Sequence, residues 1–355
     1  MKQITEHKTG HIEWQSPSNI AIVKYWGKHG NQLPANPSLS FTLSTSYSQT
    51  SMEFDVNPDR KKFDLDFEFE GKPSPKFAER IQKYFERNAA DFPYLNNLKL
   101  YLKSRNSFPH SAGIASSASA MSALAMCIAS MESRLFGGFP EKSMFRMRAS
   151  HLARLASGSA ARSVYGGLVA WGESEFIANS SDYYAVPVNE NLHDTFKSFH
   201  DTILIVDAGE KAVSSSAGHS LMTKHPYSEM RYFTARQHME MLKEIMEQGD
   251  VEEFGKILEN EALTLHGLMM NSDPSFILMK PNTLKIIEIV REVRESQKFP
   301  WYFTLDAGPN VHLMYPHEVA DEARKLITEL LVPYTQGGQV LYDQVGAGPR
   351  KIQGE

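Results

Sequence analysis

The chain has 355 residues, 41% hydrophobic and 22% charged, an ordinary globular composition long enough for two domains that share an extensive core. A formal net charge of −5 without any Lys/Arg run argues against a nucleic-acid binder, and the single cysteine, Cys127, excludes both a disulfide framework and a cysteine metal cluster. The N-terminal MKQITEHKTG has no apolar leader segment and no run is long enough to cross a bilayer, so a cytoplasmic protein is expected.

Residues 11–28 begin as a strand carried by β-branched Ile20, Ile22 and Val23 and end on a turn at Gly27. Asn19, Lys24, Tyr25 and Lys28 crowd into that run, which is unusual for a strand buried on one face. A Pro/Asn loop leads to the alternating strand Leu39, Phe41, Leu43; further strands follow at 47–54 and 62–70, split by Asn57-Pro58. Phe77, Ile81, Tyr84 and Phe85 place a helix over 75–88, and 98–103 reads as a short strand.

The stretch 108–124, FPHSAGIASSASAMSAL, organises the rest. Its first half is nearly all small residues, and Met121, Leu124, Ala125 and Ile128 then recur at helical spacing, so a helix is expected from about Ser116. A small-residue loop feeding a helix N-terminus gathers free N–H groups and the positive dipole end, which suits a phosphate. Ser116 and Ser117 can add hydroxyls, one of them placed for a phosphate-bridging metal. No Gly-Lys-Ser/Thr occurs here, so this is not a Walker loop.

A helix is expected over 139–156, then Ser157-Gly-Ser-Ala-Ala-Arg162-Ser163 and a strand at 165–171. The pattern loosens near 184–192, where the domain boundary is placed, giving units of 1–188 and 189–355. The second contains a strand at 200–206, helices at 225–246, 251–270 and 280–295, strands at 301–305 and 311–315, a helix at 317–331 and a closing strand at 339–345. Strands precede helices in each half, which favours α+β layers over a doubly wound sheet.

Pro109-x-x-x-Gly113-Ile114-x-Ser116-Ser117-Ala118 resembles the phosphate loop of the GHMP kinases, and the longer Asn106–Ala118 run resembles the mevalonate diphosphate decarboxylase branch most closely. Other segments match that branch in order: Ser18–Lys28, Ser157–Gly167 (with Ala161 where the family more often has Cys), Lys211-x-Val-Ser-Ser, Asp306-Ala-Gly-Pro-Asn310 and Gln344–Pro349. The resemblance covers nearly the whole chain. It implies a two-domain α+β GHMP kinase fold, N-terminal half like ribosomal protein S5 domain 2 and C-terminal half a ferredoxin-like α/β sandwich, a cytoplasmic homodimer, and ATP with Mg2+ as cofactors.

The implied reaction phosphorylates the tertiary 3-hydroxyl of mevalonate 5-diphosphate with ATP, then expels that phosphate with CO2 to give isopentenyl diphosphate. Ser111, Ala112, Gly113, Ile114, Ala115, Ser116 and Ser117 match the ATP-binding loop, with Ser117 the candidate toward Mg2+. Asp306 matches the carboxylate beside the hydroxyl, either accepting its proton or stabilising the electron-poor C3. Arg162 matches the residue pairing with the substrate carboxylate, and Lys24 a lysine close to Asp306. Asn19, Tyr25, Lys28, Ser157, Ser159, Ser215 and Ser216 match the remaining substrate-binding positions. Ser216 stands where relatives have arginine or threonine, and His219 where methionine is usual, so the 5-phosphate is the alternative substrate. A kinase without decarboxylation and a nucleotide-binding sensor are the other readings; retention of Asp306, Lys24 and Arg162 together weighs against both.

Overall fold

The computed structural model describes residues 4–108, 116–209 and 215–353. Two long antiparallel strands, Lys8–Val23 and Ser38–Val56, form the backbone of an eight-stranded sheet. Leu98–Asn106 pairs with the second of them, Asp64–Phe69 lies parallel to Leu98–Asn106, and Leu168–Trp171 with Ala185–Pro187 extends the other end. Helices Ser116–Phe136 and Lys142–Ala156 cover one face, burying Ile12, Met52, Leu100 and Leu102 against Leu124, Ile128, Leu152 and Leu155.

Strands 39–43 and 47–54, expected as separate, are one. The register against the first strand jumps from Pro17↔Tyr47 to Asn19↔Thr42, so the residues between bulge outward without ending the strand. Asp343 holds that bulge: its carboxylate accepts from the backbone N–H of Ser44, Thr45 and Ser46 at 2.8, 2.9 and 2.7 Å.

The second sheet has four antiparallel strands in the order Tyr302–Leu305, Val311–Tyr315, His200–Leu204, Val340–Gln344. Helices Pro281–Gln297 and Ala320–Leu326 pack on one face with Phe303, Val311 and Leu313. On the other face Ile203, Tyr302 and Met314 meet Ile20, Phe41 and Leu43 of the first sheet together with helices Ser228–Gln248 and Val251–Met270. One apolar core therefore runs between the halves, and it fixes the ends of Lys8–Val23 and Tyr302–Leu305 relative to each other.

Three further differences from the sequence reading concern the connections. Ser157–Ser163, read as a connection between helix and strand with no element of its own, is ordered: Gly158–Val164 forms buried 3-10 turns. The expected helix 317–331 is a chain of short 3-10, α and π segments. Arg350–Gln353, assigned no structure, returns to the first sheet as its edge strand beside Glu13–Gln15.

Candidate active site

Lys24 is the first residue beyond the strand Lys8–Val23 and is only 2% exposed. Its ammonium donates to the Ala21 carbonyl at 2.7 Å and faces Asp306 Oδ1 at 3.4 Å. Burial lowers its pKa below 10.5, opposed chiefly by the Asp306 carboxylate. Asp306 follows the strand Tyr302–Leu305, and its own carbonyl accepts from His266 Nε2 at 3.1 Å. Burial pushes His266 down to about 4, so it serves as a neutral donor that fixes the backbone at Asp306.

Arg162, 2% exposed, projects from the 3-10 turns Gly158–Val164. Nη1 donates to Ser38 Oγ at 2.5 Å; Nη2 and Nε reach Asn19 Oδ1 at 3.3 and 3.4 Å. Asn19 is in turn oriented by donating to Ser163 Oγ at 2.7 Å and to the Ser159 carbonyl at 3.2 Å. These partners are all neutral, and among the described residues no carboxylate pairs with Arg162. Burial lowers its pKa to about 10, which leaves it charged at neutral pH. Lys24 and Arg162 are thus two buried cations around one carboxylate, Asp306, an arrangement that favours capture of an anion.

Tyr25 extends this cluster. Among the described residues its buried hydroxyl has no hydrogen-bond partner, and its ring packs 4.7 Å from Trp171 and 4.1 Å from His219. Gly158 permits that approach, because a Cβ there would lie 2.9 Å from the Tyr25 oxygen. His219 Nδ1 accepts from the Gly27 N–H at 3.0 Å, which puts the ring proton on Nε2. Burial first, then the charges of Lys28 and Arg162, push His219 down to about 3, so it is neutral at physiological pH. Lys28 donates to Gln32 Oε1 at 2.9 Å.

Behind Lys24 lies a buried charge network. Its N–H donates to Glu261 Oε2 at 2.8 Å, and its carbonyl accepts from Arg231 Nη2 at 2.8 Å and Asn36 Nδ2 at 3.0 Å. Arg231 and Glu261 pair at 2.6 Å with side chains 1% and 0% exposed, and His238 Nδ1 meets Glu261 at 2.6 Å. Burial favours the protonated acid, but Arg231 and His238 outweigh it and hold Glu261 at about 2.

Residues 16–185 match a family model described as a diphosphomevalonate decarboxylase-like N-terminal domain, and residues 202–352 match one described as a mevalonate 5-diphosphate decarboxylase C-terminal domain. The chain belongs to the mevalonate diphosphate decarboxylase family. The diphosphomevalonate decarboxylase of Eremothecium gossypii is 31% identical over 325 residues, covering 87% of this chain and 78% of that protein. A Staphylococcus aureus mevalonate diphosphate decarboxylase structure superposes with a TM-score of 0.81 at 28% identity, covering 98% of this chain and 99% of that one. A complex described as MDDEF with MVAPP, AMPPCP and magnesium gives a TM-score of 0.81 at 26% identity, covering 98% of this chain and all of that one. The two-domain α+β architecture, the decarboxylase assignment and the use of ATP with Mg2+ that the sequence led us to expect all follow family lines.

Of the residues singled out in the sequence, the structure brings Lys24, Asp306, Arg162, Asn19, Tyr25 and Lys28 into one cluster. Ser157 and Ser159 lie half-buried beside it, the Ser159 carbonyl holding Asn19. Ser116 and Ser117 begin the helix Ser116–Phe136 and are half-buried. Ser111, Ala112, Gly113, Ile114 and Ala115 lie outside the described residues, as do the side chains of Ser215 and Ser216, which open the helix Ser215–Leu221. Among the described residues no group of three His, Cys, Asp or Glu side chains could hold a metal. The half-buried hydroxyls of Ser116 and Ser117 at the start of the helix Ser116–Phe136 are hard oxygen donors of the kind Mg2+ takes beside nucleotide phosphates.

The sequence reading missed Ser38, Asn36, His266, Arg231, Glu261 and His238. For two of them a signal existed. Glu261 falls in the buried stripe Phe254, Leu258, Leu265, Leu268 of its helix, and Arg231 in the stripe Ala235, Met239, Leu242, Met246. A charge in an apolar stripe calls for a buried partner.

Proposed function

We propose that this chain catalyses ATP-dependent decarboxylation of mevalonate 5-diphosphate, giving isopentenyl diphosphate, ADP, phosphate and CO2. The observation that carries this is Arg162: a buried guanidinium with only neutral hydrogen-bond partners among the described residues, beside a Lys24–Asp306 pair. A substrate carboxylate supplies the missing anion, and the planar fork orients the bond that must break. Asp306 faces the 3-hydroxyl and accepts its proton as the oxygen attacks the γ-phosphorus. Lys24 keeps Asp306 ionised and offsets phosphoryl charge. When the C3–O bond then breaks, the electron pair of the bond to the carboxylate forms the new C=C, and CO2 leaves with inorganic phosphate. Mg2+ would be held by the nucleotide phosphates and the Ser117 hydroxyl, supplying charge neutralisation at the transferring phosphoryl group.

Tyr25, Lys28, Ser157, Ser159, Ser215 and Ser216 are assigned to the diphosphate end, with neutral His219 as a donor through Nε2. The unpartnered Tyr25 hydroxyl and the charge on Lys28 support the 5-diphosphate over the 5-phosphate. We place the division between the two domains at residue 188; family matches that end at 185 and resume at 202 support this reading, and the last strand returns to the first sheet. A cytoplasmic homodimer is what family resemblance implies; light scattering of the purified protein tests the dimer. The reading is tested by measuring ADP and CO2 from one reaction. The two should appear in equal amounts, and Arg162→Lys should lose both; ADP without CO2 would refute decarboxylation.

A further inference from the structure

Lys24 and Asp306 end strands of two different sheets, yet one helix touches the backbone of both. Val251–Met270 carries Glu261, whose carboxylate accepts from the Lys24 N–H at 2.8 Å, and His266, whose Nε2 donates to the Asp306 carbonyl at 3.1 Å. His266 follows Glu261 by about 7.5 Å of axial rise. The helix is therefore a rigid spacer between the strand end that bears the ammonium and the one that bears the carboxylate.

Lys24 is also gripped from other sides: Arg231 and Asn36 donate to its carbonyl, and the Ala21 carbonyl accepts from its ammonium. Asp306 opens a turn that packing does not hold, since a Cβ on Gly308 would meet nothing within 4 Å among the described residues. Hydrogen bonds hold it instead. Besides His266, the Gly308 N–H donates to the Asp306 carbonyl at 2.7 Å, and Thr283 Oγ1 donates to the Pro309 carbonyl at 2.6 Å while accepting from the Lys280 N–H. At the far end Asn310 Oδ1 accepts from the N–H groups of Val206 and Asp207 at 2.8 and 2.9 Å. His266 and Thr283 are 1% and 0% exposed and come from two different helices, Val251–Met270 and Pro281–Gln297. Neither lies in a segment that carries the family resemblance, and neither takes part in the reaction steps above.

We propose that His266 and Thr283 are positioning residues that set the Asp306 carboxylate against the Lys24 ammonium. That this geometry matters to turnover rests on the function proposed above. Two pairs of variants test it: His266→Leu against His266→Gln, whose amide can still donate, and Thr283→Val against Thr283→Ser, which keeps the hydroxyl. A thermal melt checks folding, and where His266→Leu does not fold, His266→Phe takes its place. In the Leu and Val variants kcat should fall by about ten- to a hundredfold with both KM values nearly unchanged, and the Gln and Ser variants should recover most of the loss. A second readout needs no turnover. Lys24 is faced by Asp306, Glu261 and Arg162, and the Asp306 charge opposes the effect of burial on its pKa. His266 is neutral, so replacing it removes no charge. A displaced Asp306 should therefore let Lys24 titrate at lower pH, read by NMR with isotope-labelled lysine and assigned from Lys24→Met. A residue that served stability alone would lower the melt and leave that titration in place. Unchanged kcat and Lys24 titration in a folded Leu, Phe or Val variant overturns that residue's part, and equal losses in Thr283→Ser and Thr283→Val overturn the hydroxyl's. A wild-type protein that releases no CO2, while Thr283→Val still shifts the Lys24 titration, overturns the proposed function and leaves the positioning standing.

Discussion

Glu261→Gln isolates the network that holds Lys24. Glutamine keeps the shape but removes the charge, leaving Arg231, 1% exposed, without its counter-ion. One Arg231 nitrogen, Nε, already lacks a partner among the described residues, so the guanidinium depends on Glu261 and the Lys24 carbonyl. The Glu261 carboxyl is held at about 2 against an ordinary 4.5. At about 1.4 kcal/mol per tenfold, that difference corresponds to about 3 kcal/mol, at the lower end of the roughly 3–5 kcal/mol for breaking a buried ion pair. Because the folded-state pKa is depressed, this stability is fully present above pH 4.5 and is lost as pH falls through about 2. Urea unfolding of wild type and variant at pH 7, repeated in steps down to the acid limit, measures it. The gap should be about 3 kcal/mol at pH 7 and close as the wild-type carboxyl protonates. In the folded variant kcat should fall more than KM rises, because the Lys24 backbone loses its charged anchor. A gap under about 1 kcal/mol at pH 7, or one unchanged across the acid range, would refute the reasoning.

Asp306→Asn should retain binding of ATP and of the organic acid while turnover falls by about a thousandfold or more; near wild-type kcat in steady-state assays would remove Asp306 from its role. Arg162→Lys should be comparably severe because an ammonium cannot reproduce two parallel hydrogen bonds, and an effect confined to the KM for ATP would show that Arg162 serves the wrong ligand. The kcat/KM profile should fall on the alkaline side below pH 10.5 as Lys24, its pKa lowered by burial, loses its proton; a profile flat to that pH would contradict a charged Lys24 in the reaction. Gly166→Ala places a Cβ 2.3 Å from the Ala347 backbone, which cannot swing aside, so chemical denaturation should show a loss of about 1–3 kcal/mol; a neutral result would mean that the C-terminal turn yields freely.

Much of the fold is legible where local signals agree. The helix Val251–Met270 occupies the residues its pattern marks, since Asp250 caps its start by accepting from Glu253 N–H at 3.0 Å. The strand Val311–Tyr315, apolar except for His312, is buried at every residue. Arg350–Gln353 was not legible: all its residues are exposed, and only pairing with the first strand makes it a strand. The single long strand Ser38–Val56 was missed because Asp343, almost 300 residues away in the chain, supplies the bonds that carry it past its bulge.

The site divides in the same way. Lys24 and Asp306 stand 282 residues apart, and no spacing rule connects them; only the order of family motifs suggested that they meet. Arg162 could be named from its motif, but its burial beside neutral partners could not. The protonation of His219, open from the sequence, follows from the Gly27 N–H that occupies Nδ1 and from the burial that keeps the ring neutral.

The central claim is tested most directly by following ADP and CO2 with mevalonate 5-diphosphate and mevalonate 5-phosphate side by side. Equal release of ADP and CO2, with the higher kcat/KM on the 5-diphosphate, is the predicted result. A higher kcat/KM on the 5-phosphate would contradict the assignment of Tyr25 and Lys28 to a diphosphate, and ADP without CO2 from either compound would contradict decarboxylation itself.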